Sequence, residues 1–291
     1  MTPRGSSGRL AALGILSAIL VAAVWLGTTQ SVIGQQVADM ILYGRVASDP
    51  AVLGAATDAL TTVSLAFVAT AALGLLSLAI ARGGFGLAVA VFVLLGGANL
   101  TTQALKLVLE RPDLLAGAAY SPGNSFPSGH VAIVSSLALA SVLVVPRPVR
   151  TVVAVLGAAL IATVGVSTMI AGWHRLADVE GAIFISLAWA SFVTGVLVYT
   201  RGWMPRRTWG RGLGGPPMRI VGAVGALAVI AGTIGIVFIG VDQTPLAELL
   251  ASNTIAPRTF VAALAIAAGT SLIGCAGYVW ALRGVAFEMP G

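Results

Sequence analysis

The sequence predicts an all-α, polytopic membrane helix bundle, on three observations. Of the 291 residues, 58% are hydrophobic and only 9% are charged. The apolar residues are gathered into runs that reach the roughly 20 residues a helix needs to cross a bilayer. These runs exceed the roughly 9–11 residues of a barrel strand and lack its alternation. Eight spans follow, at 10–28, 53–81, 84–107, 129–146, 149–170, 179–199, 218–240 and 259–282.

The first run follows Arg4 and Arg9, as a secretory signal would. It is longer than a signal core, and Leu26-Gly27-Thr28-Thr29 is no small-x-small cleavage site, so it reads as a span. The segment 201–217, with Arg206, Arg207, Arg211, Trp203 and Trp209, suits an anionic cytoplasmic interface and separates six spans from two. The predicted organisation is a six-span core over 1–200, a basic Gly/Pro-rich linker over 201–217 and a two-span extension over 218–291. Within the extension, Ala228 and Gly232 lie four residues apart and permit close helix packing. The single cysteine, Cys275, excludes an intrachain disulfide and reads as a packing residue of the last span.

Charge orients the bundle. With the N-terminus cytoplasmic, the inside connections hold Arg4, Arg9, Arg82, Arg147, Arg150, Arg201, Arg206, Arg207, Arg211, Arg219 and Arg283. The outside connections then hold only Arg45, Lys106, Arg111, Arg175 and Arg258, the asymmetry that the positive-inside rule describes. Topology therefore accounts for the net charge of +6, which is no argument for nucleic acid.

Three polar clusters fall on the outer side. In Ser125-Phe126-Pro127-Ser128-Gly129-His130, a polar loop ends where an apolar helix begins. Ser128 reads as an N-cap, and Gly129 leaves its backbone N–H open to an anion at the helix N-terminus. His130 then stands one residue into that helix, placed to donate a proton. In Gly172-Trp173-His174-Arg175-Leu176-Ala177-Asp178, His174 and Asp178 are four apart. A carboxylate on one ring nitrogen fixes the tautomer and raises the nucleophilicity of the other. The third cluster is Lys106, Glu110, Arg111, Pro112 and Asp113, and Lys106 is the only lysine. Each cluster alone has a plainer reading: a capped span with an interfacial histidine, an interfacial salt bridge, and a lysine snorkelling to the headgroups. Asp58, just inside the second span, reads as an interfacial acid.

Taken in order, Lys106, then Pro127-Ser128-Gly129-His130, then Ser167 with His174 seven residues on and Asp178 four further, resemble the type 2 phosphatidic acid phosphatase (PAP2) family of integral-membrane lipid phosphatases. The resemblance covers about residues 53–200, and Pro127-Ser128-Gly129-His130 is its specific element. It implies a metal-independent, cofactor-free reaction in two steps. His174 is the nucleophile, Asp178 orients it, and His130 protonates the leaving oxygen and then activates water. Lys106, Ser128 and Gly129 hold the phosphoryl oxygens. Two positions depart from the family pattern. An arginine expected seven residues after the lysine is Asp113 here, and one expected after the motif serine is Thr168. Arg111 and Arg175 are the candidate replacements, with Asp113 pairing with Arg111 or facing solvent and Glu110 a solvated charge. The acidic residues lack metal-ligand spacing, so no metal site is read.

A charged site at the outer end of a bundle receives a headgroup while the tail stays in the bilayer, which favours a lipid phosphate over a soluble ester. An Ala-, Val- and Gly-rich, lysine-poor chain suits a high-GC bacterium, and the first choice of substrate is a polyprenyl phosphate or diphosphate carrier of cell-wall synthesis. Two competing classes are a lipid-linked phosphotransferase and a non-catalytic lipid-phosphate binder or transporter.

Overall fold

A computed structural model describes residues 3–45, 48–116, 123–201, 216–238 and 255–285. Its described residues form nine α-helices: α1 (Pro3–Thr29), α2 (Val32–Gly44), α3 (Pro50–Thr62), α4 (Leu65–Val108), α5 (Gly129–Val144), α6 (Arg150–Ile170), α7 (Leu176–Arg201), α8 (Pro216–Val237) and α9 (Ile255–Ala281). Six of them are long and apolar enough to cross a membrane, and α5 is a shorter apolar helix. The expected linker arginines Arg206, Arg207 and Arg211, with Trp203 and Trp209, lie outside the described residues.

The span expected at 53–81 is broken. α3 ends at Val63, and α4 restarts with Ser64 as N-cap, its hydroxyl accepting from the Phe67 N–H. α4 continues to Val108 with one interruption, Gly84, at φ 68° and ψ −171°. A residue with a side chain is strained there, so Gly84 lets the chain pass from the second expected span into the third.

A larger departure is α2, in a stretch expected to be a loop. Ser31 caps it, accepting from the Gly34 N–H. Its inner face carries Gln35, Ala38, Asp39 and Leu42, all buried, and Val32 and Ile33 are exposed. The polar pair Gln35 and Asp39, one turn apart, breaks up the apolar run and hides α2 from a search for membrane spans.

α5 packs on both α6 and α7, α4 lies against α5 and α7, and α1 lies along α7. α9 packs on α8 but also on α6, α2 and α7, so it belongs to the same core. The α8–α9 contact is as close as its small residues allow: a Cβ at Gly232 would stand 2.5 Å from the Ala262 carbonyl oxygen. Cys275 sits in the apolar core, and Ser135, Ser186 and Thr194 are among the polar residues buried within the bundle.

The bundle has two unlike ends. At one, arginines close helix ends by donating to backbone carbonyls. Arg82 Nε donates to Val144 O at 2.9 Å, Arg147 Nε and Arg150 to Val285 O at 3.0 and 2.7 Å, and Arg9 to Arg283 O at 2.5 Å. The bond to Val144 satisfies a carbonyl that a helix C-terminus leaves without a partner, and those to Arg283 and Val285 fasten the chain just beyond α9. α5 runs from this end to the other, where its first residues meet the start of α7 and the ends of α4 and α6. Both histidine clusters lie at that second end.

α2 is held against α9 without clearance, since a Cβ at Gly44 would stand 2.0 Å from the Ala256 carbonyl oxygen. Gly44→Ala is therefore expected to destabilise the protein by about 1–3 kcal/mol, read as a lower thermal midpoint in detergent, while alanine at Gly54, where no atom is near, leaves it unchanged.

Candidate active site

The site is assembled from three chain segments that meet at Asp178. The side chain of Asp178 is 4% exposed. Its Oδ2 accepts from the Arg175 N–H at 2.8 Å and from Ser125 Oγ at 2.5 Å, and lies 3.2 Å from His174 Nδ1. Its backbone carbonyl accepts from the Ser128 N–H at 2.9 Å. The loop before α5 and the turn before α7 are thus fastened to one residue. His174 precedes α7, which begins at Leu176. The His174–Asp178 pair is therefore a loop closing onto the first turn of a helix, rather than two side chains on one helical face.

The turn that delivers His174 is fixed on its other side by Thr168, whose carbonyl accepts from the Trp173 N–H at 3.0 Å and the His174 N–H at 3.3 Å. Gly172 makes the bend at φ 73°. A Cβ there would also stand 2.4 Å from Arg45 Nε, because the guanidinium of Arg45 lies against this glycine. Thr168 is fully buried, and its hydroxyl donates to Gly165 O, so the position of the missing family arginine is a packed interior one here.

Ser128 is the N-cap of α5, with its side chain accepting from Val131 N, and Gly129 begins the helix as expected. The preceding Phe126-Pro127 bond is cis, and Phe126 is buried. His130 is half-buried, with its ring centroid 5.6 Å from that of Trp173 and within electrostatic range of His174 and Lys106. Lys106 lies in the last turn of α4, and Gln103, one turn earlier, approaches Gly129. His130, His174 and Lys106 therefore face a common region beside the N-terminus of α5, where unpaired N–H groups and the helix dipole favour an anion. Held by Asp178 at Nδ1, His174 offers Nε2 as the ring nitrogen for attack or proton transfer.

Arg111 and Arg175 also come together, on an unexpected partner. Arg111 Nη2 lies 3.3 Å from Asp39 Oδ1, and Arg175 Nε lies 3.7 Å from the same oxygen. Arg175 also donates to Ser125 Oγ at 2.9 Å. Burial, and then the charge of Arg175, lower the pKa of Arg111, while Asp39 and Asp178 oppose this. Asp113 is exposed and accepts from the Leu115 N–H, as one of the two expected arrangements had it. Glu110 is exposed, and Asp58 lies on the exposed face of α3, away from the cluster.

Sequence reasoning missed Asp39, Gln35 and the bridging role of Ser125. The available signal was Gln35 and Asp39 at helical spacing within an otherwise apolar 32–44.

Residues 86–202 match the family model described as the PAP2 superfamily. The match covers less than half of the 291 residues. The matched PAP2 segment contains the last part of α4, α5, α6, α7 and both histidine clusters; α1, α2, α8 and α9 lie outside it. No curated protein matches the chain. Among solved structures, the chain is similar to the first transmembrane PAP2-type phosphatidylglycerolphosphate phosphatase from Bacillus subtilis, at 20% identity and a TM-score of 0.47, covering 66% of this chain and 98% of that one.

Ser125 joins Asp178 to Arg175 and touches neither histidine ring in the hydrogen-bond network described. Ser125→Ala is expected to lower kcat for phosphate release by about tenfold, since a small misplacement of a reacting group has effects of this order, with KM nearly unchanged. Steady-state kinetics in detergent micelles check it.

Proposed function

We propose that the chain hydrolyses the terminal phosphate of a lipid, a phosphomonoester or diphosphate, at the extracytoplasmic face through a phosphohistidine intermediate. The observation that carries this reading is the Asp178–His174 pair beside His130 and the α5 N-terminus. In the first step, His174 Nε2 attacks phosphorus, the bond to the leaving oxygen breaks, and His130 in its protonated form gives that oxygen a proton. In the second, His130 takes a proton from water as the water oxygen attacks phosphorus, the P–N bond breaks, and inorganic phosphate leaves. Lys106 and the backbone N–H groups that follow Ser128 hold the phosphoryl oxygens. Arg111 and Arg175 supply the positive charge that the family places at positions 113 and 168. Donors fixed in advance around the transferring group stabilise its charge without reorganisation.

A lipid substrate is supported by the surroundings of Lys106. Leu107 and Val108 are 86% and 69% exposed, and Leu100, two turns back, is 72% exposed. An acyl or prenyl tail can lie along this apolar flank of α4 while its phosphate meets Lys106. A polyprenyl phosphate or diphosphate carrier of cell-wall synthesis is our first choice within that class. The charge asymmetry between connections supports a cytoplasmic N-terminus and an outward-facing site.

Wild type is expected to release phosphate from polyprenyl phosphates with or without chelator, and His174→Ala and His130→Ala to lose about 10²–10⁴-fold of that rate, the scale of general acid–base and nucleophilic contributions. An acid-labile, alkali-stable phosphoprotein should form in wild type and be absent in His174→Ala. Equal turnover in wild type and His174→Ala would overturn the mechanism, and a phosphorylated acceptor in place of free phosphate would make the protein a transferase. Orientation is checked separately. Because Cys275 is buried, a thiol introduced by Asp113→Cys should be labelled by a membrane-impermeant maleimide in intact cells.

A further inference from the structure

We propose that Asp39 is a positioning residue of the active site, acting through Arg111 and Arg175 from a helix outside the PAP2 segment. The inference rests on the hydrolase reading above. Asp39 is 0% exposed, and its Oδ1 is shared by both guanidiniums, whose side chains are 5% and 6% exposed. From Arg175 the polar contacts run on without a break through Ser125 Oγ to Asp178 Oδ2 and His174 Nδ1. Asp39 therefore stands at the far end of a chain that terminates on the nucleophile.

α2 and the short link before it hold the Arg111 segment at two points. Gln35 Nε2, one turn before Asp39, donates to Pro112 O at 2.7 Å, and Gln30 Nε2 donates to Glu110 O at 2.8 Å. The residues on both sides of Arg111 are thus fixed by their carbonyls while Asp39 takes its side chain. Arg111 lies beyond the end of α4 at Val108, and Pro112 removes a backbone N–H and disfavours helical geometry at Arg111, so the segment depends on such outside contacts for its direction. Two arginines on a single carboxylate leave one positive charge uncompensated within the triad. That excess suits a site whose substrate is an anion, and the shared oxygen sets the spacing between the two cations.

The test compares wild type, Asp39→Asn and Asp39→Glu in detergent micelles. It measures kcat and KM on a polyprenyl phosphate, the inhibition constant of orthovanadate, and the thermal midpoint. Asp58→Asn, on the exposed face of α3, serves as the control expected to match wild type. In Asp39→Asn, kcat/KM is expected to fall about 30-fold or more, with weaker vanadate inhibition, the scale on which displaced catalytic groups act. Asp39→Glu keeps the charge but moves it by a methylene; it is expected to hold a thermal midpoint near that of wild type and still lose about tenfold in kcat. If Asp39→Asn does not fold, the Asp39→Glu result decides. Wild-type kinetics and vanadate inhibition in a folded Asp39→Asn, or unchanged kcat in Asp39→Glu, would overturn the inference. Absence of phosphate release in wild type across lipid phosphates would instead overturn the hydrolase reading itself.

Discussion

The candidate site depends on a carboxylate withdrawn from water. An ionised group with so little exposure is stable only where donors are provided for its charge. Asp178 meets that condition with a backbone N–H, a serine hydroxyl and an imidazole on one oxygen. Each donor comes from a place the chain must then reach: the turn before α7 and the loop before α5. The need to satisfy one charge brings the two histidine clusters, more than forty residues apart in sequence, into one neighbourhood. The carbonyl of the same residue holds Ser128, so the N-terminus of α5 is set in register with the turn that carries His174.

The same requirement recurs at Asp39 with the signs redistributed. There the donors are charged, and one carboxylate serves two guanidiniums. Removing one member of a buried ionic group leaves its partners uncompensated, at a cost of about 3–5 kcal/mol. Asp39, Arg111 and Arg175 therefore constrain one another, whichever of them meets substrate. That coupling offers a physical account of a chain without arginine at 113 and 168: the positive charge is present, but its position is specified by α2.

Much of this was legible in the sequence. Six of the eight expected spans correspond to continuous helix within a few residues of the expected ends, and the first lies inside a helix that begins seven residues earlier, at Pro3, because long apolar runs bounded by charge leave little freedom. Ser128 as N-cap and the approach of His174 to Asp178 followed from local rules of capping and spacing. What the sequence concealed was tertiary. The break at Val63–Ser64 lies inside an uninterrupted apolar run, where capping by Ser64 outweighs hydrophobic continuity. α2 is short and carries Gln35 and Asp39 inward, so it reads as a polar loop until the arginines that match Asp39 are located. The partner of Arg111 was sought nearby, at Asp113, yet lies 72 residues away. Sequence spacing ranks candidates within one element but is silent on which distant element will supply a counter-charge.

The contact between Gly44 and Ala256 bears on the order in which the protein is made. α2 is among the first segments to leave the ribosome, and α9 is synthesised more than two hundred residues later. Until α9 is in the bilayer, the larger part of the surface on which α2 rests does not exist. The helix that bears Asp39 thus waits, partly unsupported, through the insertion of α4 to α8. Assembly of the site is a late event in biogenesis, and a nascent chain carrying the whole PAP2 segment is still without the packing surface that seats α2.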